Sequence, residues 1–306
     1  LNPKARRLRR SLIFFSNYLL IAAKNNPKDM EIIKSAGTKE KFNKDKLCGS
    51  LEKAGAPIEL AKKVCGLTEK NISAGESTAK IFRIALDYLV KEDLNLAASY
   101  GLRRAIGELG PAGFLFEQYV EIILQAYGYQ TKRNVIMRGA CVEHEVDVSA
   151  QKDGAHYIIE AKYRNEPGIK THIDVVMYGD ARMADIARFE ESAGREKDIK
   201  SHILWLFTNT KFTSKAIDYA KCRNIRLTGW NYPASKSLEN LILDKKIYPI
   251  TVLPSIGRFN LGQFAKKGLL LAQDLLPYSA EDFSREFGIP AKDAEKISAE
   301  VAQLVK

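Results

Sequence analysis

Little in this 306-residue chain points to metal-thiolate, motor or membrane chemistry. Its four cysteines, Cys48, Cys65, Cys141 and Cys222, are scattered, with no C-x-x-C pair and no histidine at metal-ligand spacing. That scatter suggests a reducing compartment, the cytoplasm, and no zinc site. No Gly-x-x-x-x-Gly-Lys-[Ser/Thr] loop occurs, which argues against a motor ATPase. An apolar run at residues 11–23 follows the basic Lys4-Ala5-Arg6-Arg7-Leu8-Arg9-Arg10 and has the length of a signal-peptide core. It falls short of the roughly 20 residues that span a bilayer, so no stable membrane association is expected. The chain begins at Leu1 and not at a methionine, and residues 1–30 read as a basic and apolar extension or the start of a fragment.

Hydrophobic residues make up 45% of the chain, as in a soluble globular protein, and the length allows two or three domains. The net charge of +11 resembles a nucleic-acid footprint. Its distribution weakens that inference, because residues 1–30 carry seven Lys/Arg against one Asp, while residues 255–306 carry seven of each sign. Charge alone therefore does not name the partner.

The stretch Glu143–Lys162, E-H-E-V-D-V-S-A-Q-K-D-G-A-H-Y-I-I-E-A-K, says more. Asp153-Gly154 between β-branched runs is the usual type I′ hairpin turn. With that turn, Lys152 faces Ala155, Asp147 faces Glu160 and Glu145 faces Lys162. Strict alternation puts residues 143, 145 and 147 on one face with 158, 160 and 162, and Val142, His144, Val146 and Val148 on the other. Like charges so placed repel by about 4 kcal/mol per pair at 4 Å and an effective dielectric near 20, unless a cation intervenes. Hard oxygens at that density suit Mg²⁺ or Mn²⁺. A lysine two residues past the second carboxylate can orient water or stabilise charge on a phosphorane. The alternative is a charged, solvated sheet face.

A helix follows the break Leu109-Gly110-Pro111-Ala112-Gly113, with Phe116, Val120, Ile123, Leu124 and Tyr127 as its core stripe. Glu117, at the edge of that stripe, could complete the metal site or lie on the surface, and Glu121 is expected in solvent. Beyond the hairpin come a helix at 172–191, a buried strand at 202–208, a helix at 214–222 and a strand at 225–229. This order gives a mixed α/β sheet with helices on both faces. Order and spacing, together with Glu117, Asp147 and Glu160-Ala161-Lys162, resemble the PD-(D/E)xK nuclease superfamily, in particular its Mrr-like restriction endonuclease branch. The likeness runs through T-N-T-K-F-T and G-W-N-Y-P. It implies metal-dependent cleavage of double-stranded DNA, with Asp147 and Glu160 as metal ligands, Glu117 as auxiliary acid and ligand, and Lys162 assisting the attacking water. Thr208-Asn209-Thr210-Lys211 could hold a phosphate. Lys211, Lys215, Lys221, Arg223 and Arg226 form a basic cluster or a solvated face; Trp230 or Tyr232 could stack on a base, and burial under the sheet edge is the expectation.

Residues 31–105 resemble the ATP-cone, a nucleotide-sensing domain, through Lys34, Gly37, Glu40, Asn43, Lys46 and the amphipathic helix that follows. The resemblance implies that Lys34 and Lys46 hold phosphates and that Glu40 and Asn43 help seat ATP or dATP. Ser35-Ala36 replace the usual Arg-Asp, which removes a guanidinium from that site. A solvated lysine-rich helix would look the same in sequence.

Residues 275–297, with breaks at Pro277 and Gly288-Ile289-Pro290, look like a helix-hairpin-helix module that grips DNA or serves packing or dimerisation. The expected organisation is an extension (1–30), an ATP-cone (31–110), an Mrr-like nuclease core (111–254) and a helical tail (255–306). The expected activity is a homo-oligomeric, restriction-type endonuclease regulated by ATP or dATP. A nucleotide-responsive DNA-binding regulator and a junction or repair nuclease are the alternatives.

Overall fold

The structure, a computed structural model, describes residues 30–34, 37–109, 113–166, 168–194, 202–256 and 258–305. The extension before Met30, Ser35-Ala36 and the Gly110-Pro111-Ala112 break lie outside them. The chain divides into two compact units, one through Tyr100 and one from Gly101 onward.

The first unit opens with a hairpin, β1 (Glu31–Ile33) against β2 (Lys39–Lys41), registered Glu31 to Lys41. Gly37 allows the reversal because it sits at φ 78°, a conformation that side chains disfavour. Asn43 then caps α1 (Lys44–Lys53), its side chain accepting from the Lys46 amide at 2.9 Å. Helices α2 (Ile58–Lys70), α3 (Thr78–Glu92) and α4 (Leu94–Gly107) follow, and α4 runs across the division between the units. Leu47 and Leu51 from α1 are buried, as are Ala61 and Val64 of α2 and Ile81, Ala85 and Leu89 of α3. Cys48 and Cys65 are paired as a disulfide between α1 and α2, with Cα atoms 5.7 Å apart. Cys141 and Cys222 are free and exposed.

The second unit is built on a five-stranded sheet in the order β3 (Gln130–Arg138), β4 (Glu143–Lys152), β5 (Ala155–Lys162), β7 (His202–Thr208) and β9 (Arg226–Thr228). The β3/β4 and β4/β5 pairs are antiparallel, and the β5/β7 and β7/β9 pairs are parallel. Helix α5 (Phe114–Ala126) precedes the sheet, α6 (Ile173–Ser192) links β5 to β7, and α7 (Ser214–Cys222) links β7 to β9. The expected mixed sheet flanked by helices is what the chain forms. A small parallel pair, β6 (Lys170–Thr171) with β8 (Lys211–Phe212), was not anticipated.

Helices α6 and α7 share a core with the sheet through Val146, Ile158, Val176, Ile186, Leu204, Leu206, Ala216 and Leu227. Gly179 permits the close approach of α6, since a Cβ there would stand 3.1 Å from Leu204 Cδ2. Tyr119 of α5 is fully buried and donates to the Ile247 carbonyl at 2.6 Å, tying the helix that carries Glu117 to the segment after α8 (Leu238–Lys245). Glu121 is drawn inward, against expectation, because it accepts from Arg133 at 2.5 Å and from Thr131 at 3.0 Å. Trp230 is buried, as expected.

After α8 come α9 (Arg258–Lys266), α10 (Ala280–Phe287) and α11 (Ala291–Leu304). Ser279 and Asp282 form a capping box on α10, Gly288 ends it at φ 64°, and Pro290 leads α11. Phe264, Phe283 and Phe287 pack as a ring cluster beneath this helical pair.

Tyr119→Phe removes a hydroxyl and leaves the buried Ile247 carbonyl without its donor. We expect a loss of about 1–3 kcal/mol in urea unfolding with little change in m. An unchanged midpoint would mean that this bond does not anchor α5.

Candidate active site at the fork between β4 and β5

The β4/β5 ladder begins at Lys152 and Ala155, as the Asp153-Gly154 turn requires, and continues to Val148 and Ile159. There it stops, although both strands go on, β4 paired with β3 as far as Glu143 and β5 paired with β7 as far as Lys162. The two strands therefore part at Asp147 and Glu160. Asp147 takes the place of the lost ladder bond, its Oδ2 accepting from the Ala161 amide at 2.7 Å. Opposite Asp147 on β3, Asn134 holds φ 51° and the β3/β4 pairing lapses for one position before resuming in the same register.

This lapse changes the faces. Strict alternation puts Val146 and Ile158 on opposite sides, yet both belong to the core under α6. His144 also reaches that side, its Nε2 lying 2.9 Å from Asp185 of α6. Ser149 reaches it as well, through His156 at 2.7 Å, then His202, which pairs with Glu190 of α6. Alternation in β4 thus slips by one residue at Asp147, and the single-face assignment of residues 143, 145 and 147 with Ile158 is corrected.

Asp147 and Glu160 nonetheless act on one another. Burial pushes the Asp147 carboxyl up to about 7, and the Glu160 charge adds to it, as does that of Glu117, while the Ala161 amide and Arg182 oppose them. Glu117 is raised in turn, first by burial, then by Glu145 and Glu160. The structure thus brings Glu117 and Glu160 within electrostatic reach of Asp147, and Glu145 and Glu160 within reach of Glu117. Lys162 closes β5 beside Thr208, half-buried, and meets no carboxylate among the described residues.

Sequence reasoning missed Arg182. From α6 its guanidinium donates to Glu160 Oε2 at 2.5 Å and to the Glu145 carbonyl at 3.0 Å. It also faces the Tyr178 ring at 5.0 Å, and its Nε is buried without a partner. No spacing rule marks an arginine that arrives from a helix beyond the hairpin. Asp185, one turn further on, was also missed. It fastens the β3/β4 loop through the Cys141 and Val142 amides and His144, and the His144 bond leads the lowering of its carboxyl to about 2. Among the described residues no three His, Cys, Asp or Glu side chains form a group that could hold a metal ion.

The Thr208-Asn209-Thr210 segment does not present its side chains to a ligand. Thr208 and Thr210 are buried and their hydroxyls bond Thr171 and each other, while Asn209 bonds the Arg164 backbone. The basic cluster is also dispersed, since Arg223 pairs with Asp180 at 2.8 Å and Arg226 lies over Tyr157 and Trp205. In the first unit Lys34, Glu40 and Lys46 do converge. Glu40 Oε2 is 2.7 Å from Lys34 and 3.7 Å from Lys46, and the Lys34 hydrogen bond leads the lowering of the Glu40 carboxyl.

The mixed sheet flanked by helices agrees with the family matches. Residues 112–231 match the model described as restriction endonuclease, which defines a nuclease-type catalytic domain. Residues 248–305 match the model described as AF1548-like, C-terminal. An uncharacterized protein of Archaeoglobus fulgidus is 39% identical over 183 residues, 60% of this chain and 98% of that one. The crystal structure of a protein of unknown function, AF1548, aligns at 37% identity and a TM-score of 0.51, covering 63% of this chain and 98% of that one. The chain belongs to this AF1548-like family.

A carboxyl whose folded pKa lies above its unfolded value binds a proton that the unfolded chain has released. Its ionisation therefore destabilises the fold as pH rises from about 4 through about 7. Asp147→Asn keeps an oxygen for the Ala161 amide and removes the charge. Urea unfolding at pH 5 and pH 8 should show wild type losing stability across that interval relative to the variant. Parallel curves for the two proteins would contradict the raised carboxyl.

Proposed function

We propose that the second unit is a restriction-type endonuclease that hydrolyses phosphodiester bonds of double-stranded DNA with Mg²⁺ or Mn²⁺. The observation that carries this reading is the Asp147 carboxyl, pushed up to about 7 by burial and by Glu160 at a fork that also ends in Lys162. Such a site has an excess of negative charge, and a hard divalent ion needs only one or two protein carboxylates, with water and phosphate filling the rest. The chemistry of the donor set therefore fits the ion. Asp147 and Glu160 would hold it, with Glu117 as the auxiliary acid. When bound it would neutralise the carboxylates, lower the pKa of water and polarise the phosphoryl group.

The remaining work falls to the chain's own groups. Lys162, two residues past Glu160 on the same face of β5, holds the attacking water and balances charge that builds on the phosphoryl oxygens. Water oxygen bonds to phosphorus as the ester oxygen leaves. Arg182 neutralises Glu160 before substrate arrives and so keeps the cluster from repelling itself open.

That same ion pair favours a second reading, a DNA-binding regulator in which Arg182 has permanently replaced the metal. Supercoiled plasmid, methylated or not, with Mg²⁺ or Mn²⁺ separates the two. The endonuclease reading predicts nicking that falls at least about a hundredfold in Lys162→Ala. Equal nicking by the variant contradicts the role of Lys162, and binding without nicking by wild type supports the regulator.

We further propose that ATP or dATP binds the first unit and regulates cleavage. The reading is supported by the resemblance of residues 31–105 and by the meeting of Lys34, Lys46 and Glu40 beside the Asn43 cap. Two ammonium groups held near one carboxylate leave a net positive charge suited to phosphates. Calorimetry should find nucleotide binding in wild type that weakens at least about tenfold in Lys34→Ala, as loss of a charged hydrogen bond predicts. Equal affinity in the two would remove Lys34 from the site.

A further inference from the structure

Beyond Lys162 the chain builds a second positively charged place that the carboxylate site does not use. The segment after β7 organises it. Asn209 accepts from the Arg164 amide at 2.8 Å and donates to the Arg164 carbonyl at 2.9 Å, so the backbone two residues past Lys162 is gripped on both sides. Thr208 bonds the Thr171 hydroxyl at 3.0 Å, and this sets β6 alongside β8. In that pair Lys170 stands directly beside Lys211 in parallel register.

Parallel partners project to the same side, and the neighbours Thr171 and Phe212 are both buried, so the two lysines share the exposed face. Like charges directly opposite in a ladder are destabilising. Neither ammonium meets a carboxylate among the described residues. Arg164 has an equivalent deficit, because its Nε is buried with no hydrogen-bond partner. A buried guanidinium N–H without an acceptor is costly and calls for an explanation. An anion supplied from outside would resolve the clash of the two exposed lysines, with the rest of the Arg164 guanidinium beside them.

We propose that Arg164, Lys170 and Lys211 form a ledge that binds DNA backbone phosphates beside the scissile bond. The inference rests on the endonuclease reading and adds to it the residues that hold the duplex in register. All three positions are tied to residues 208–211, which leave the carboxyl end of β7 beside that of β5, where Lys162 also stands. Guanidinium can take a phosphate through two N–H groups, and paired ammoniums supply point charges for its neighbours. Asn209 acts here as a positioning residue, since it touches the backbone of Arg164 and not the phosphate.

The test is equilibrium binding of a fluorescent DNA duplex in EDTA, measured by anisotropy over a range of salt concentrations. Each phosphate contact removed lowers the slope of log affinity against log salt by about 0.9. Lys170→Ala/Lys211→Ala should therefore lose about 1.8 from the slope, and Arg164→Ala about 0.9. Lys53→Ala, an exposed lysine at the end of α1, removes a charge elsewhere and should leave the slope unchanged. If wild type binds and the double variant keeps its slope, the ledge falls and the endonuclease reading stands. A slope lowered equally by Lys53→Ala also overturns the ledge, because net charge would then suffice. If wild type binds no duplex at any salt, both readings fall together.

Discussion

The second unit depends on one hydrogen bond that stands where a ladder bond should be. Two strands joined by a tight turn normally stay paired to their ends. Here Asp147 offers its own carboxylate to the Ala161 amide, and β4 and β5 separate from that point. The separation does two things at once. It satisfies a backbone donor that the parting would otherwise strand, and it leaves Asp147 within electrostatic reach of Glu160 and Glu117. A carboxylate used in this way is both a structural pin and a buried charge. The pin keeps it in place, and the burial raises its pKa.

Arg182 is the natural counterweight. Glu117, Asp147 and Glu160 repel one another, and α6 carries a guanidinium to Glu160 and to the Glu145 carbonyl. Helix α6 is in turn held to the sheet by other polar ties, through Asp185 to His144 and through Glu190 to His202. The position of Arg182 is thus set by contacts along the C-terminal half of the helix and along its apolar face. On the proposed reading, an arginine so fixed neutralises Glu160 in the free protein and turns to a phosphate when one arrives, which would leave Glu160 to the divalent ion.

Much of the framework was legible from local rules. Asp153-Gly154 set the hairpin register, the β7 and α7 limits followed from apolar runs and caps, and Asn43 marked the start of α1. The carboxylates and Lys162 could be singled out because the hairpin register, extended outward from the turn, sets them opposite one another in sequence. What failed were the non-local consequences. Alternation assumes an unbroken ladder, and nothing in V-D-V warns that pairing lapses at Asp147 or that Asn134 opposite it takes a positive φ. Arg182 and Asp185 arrive from a helix whose rotation is fixed only by its packing. The hydroxyls of Thr208 and Thr210 looked available in sequence and are consumed by Thr171, a residue of a two-residue strand too short to leave a pattern. The Cys48–Cys65 bridge, likewise, depends on how α1 and α2 cross.

The central claim is that the fork holds a cation between Asp147 and Glu160. Crystals soaked in Mn²⁺ and measured for anomalous scattering test it without reference to any substrate. The account predicts a single strong peak in contact with both carboxylates, with Arg182 withdrawn from Glu160. An empty fork at saturating Mn²⁺, with Arg182 still bound to Glu160, would contradict it.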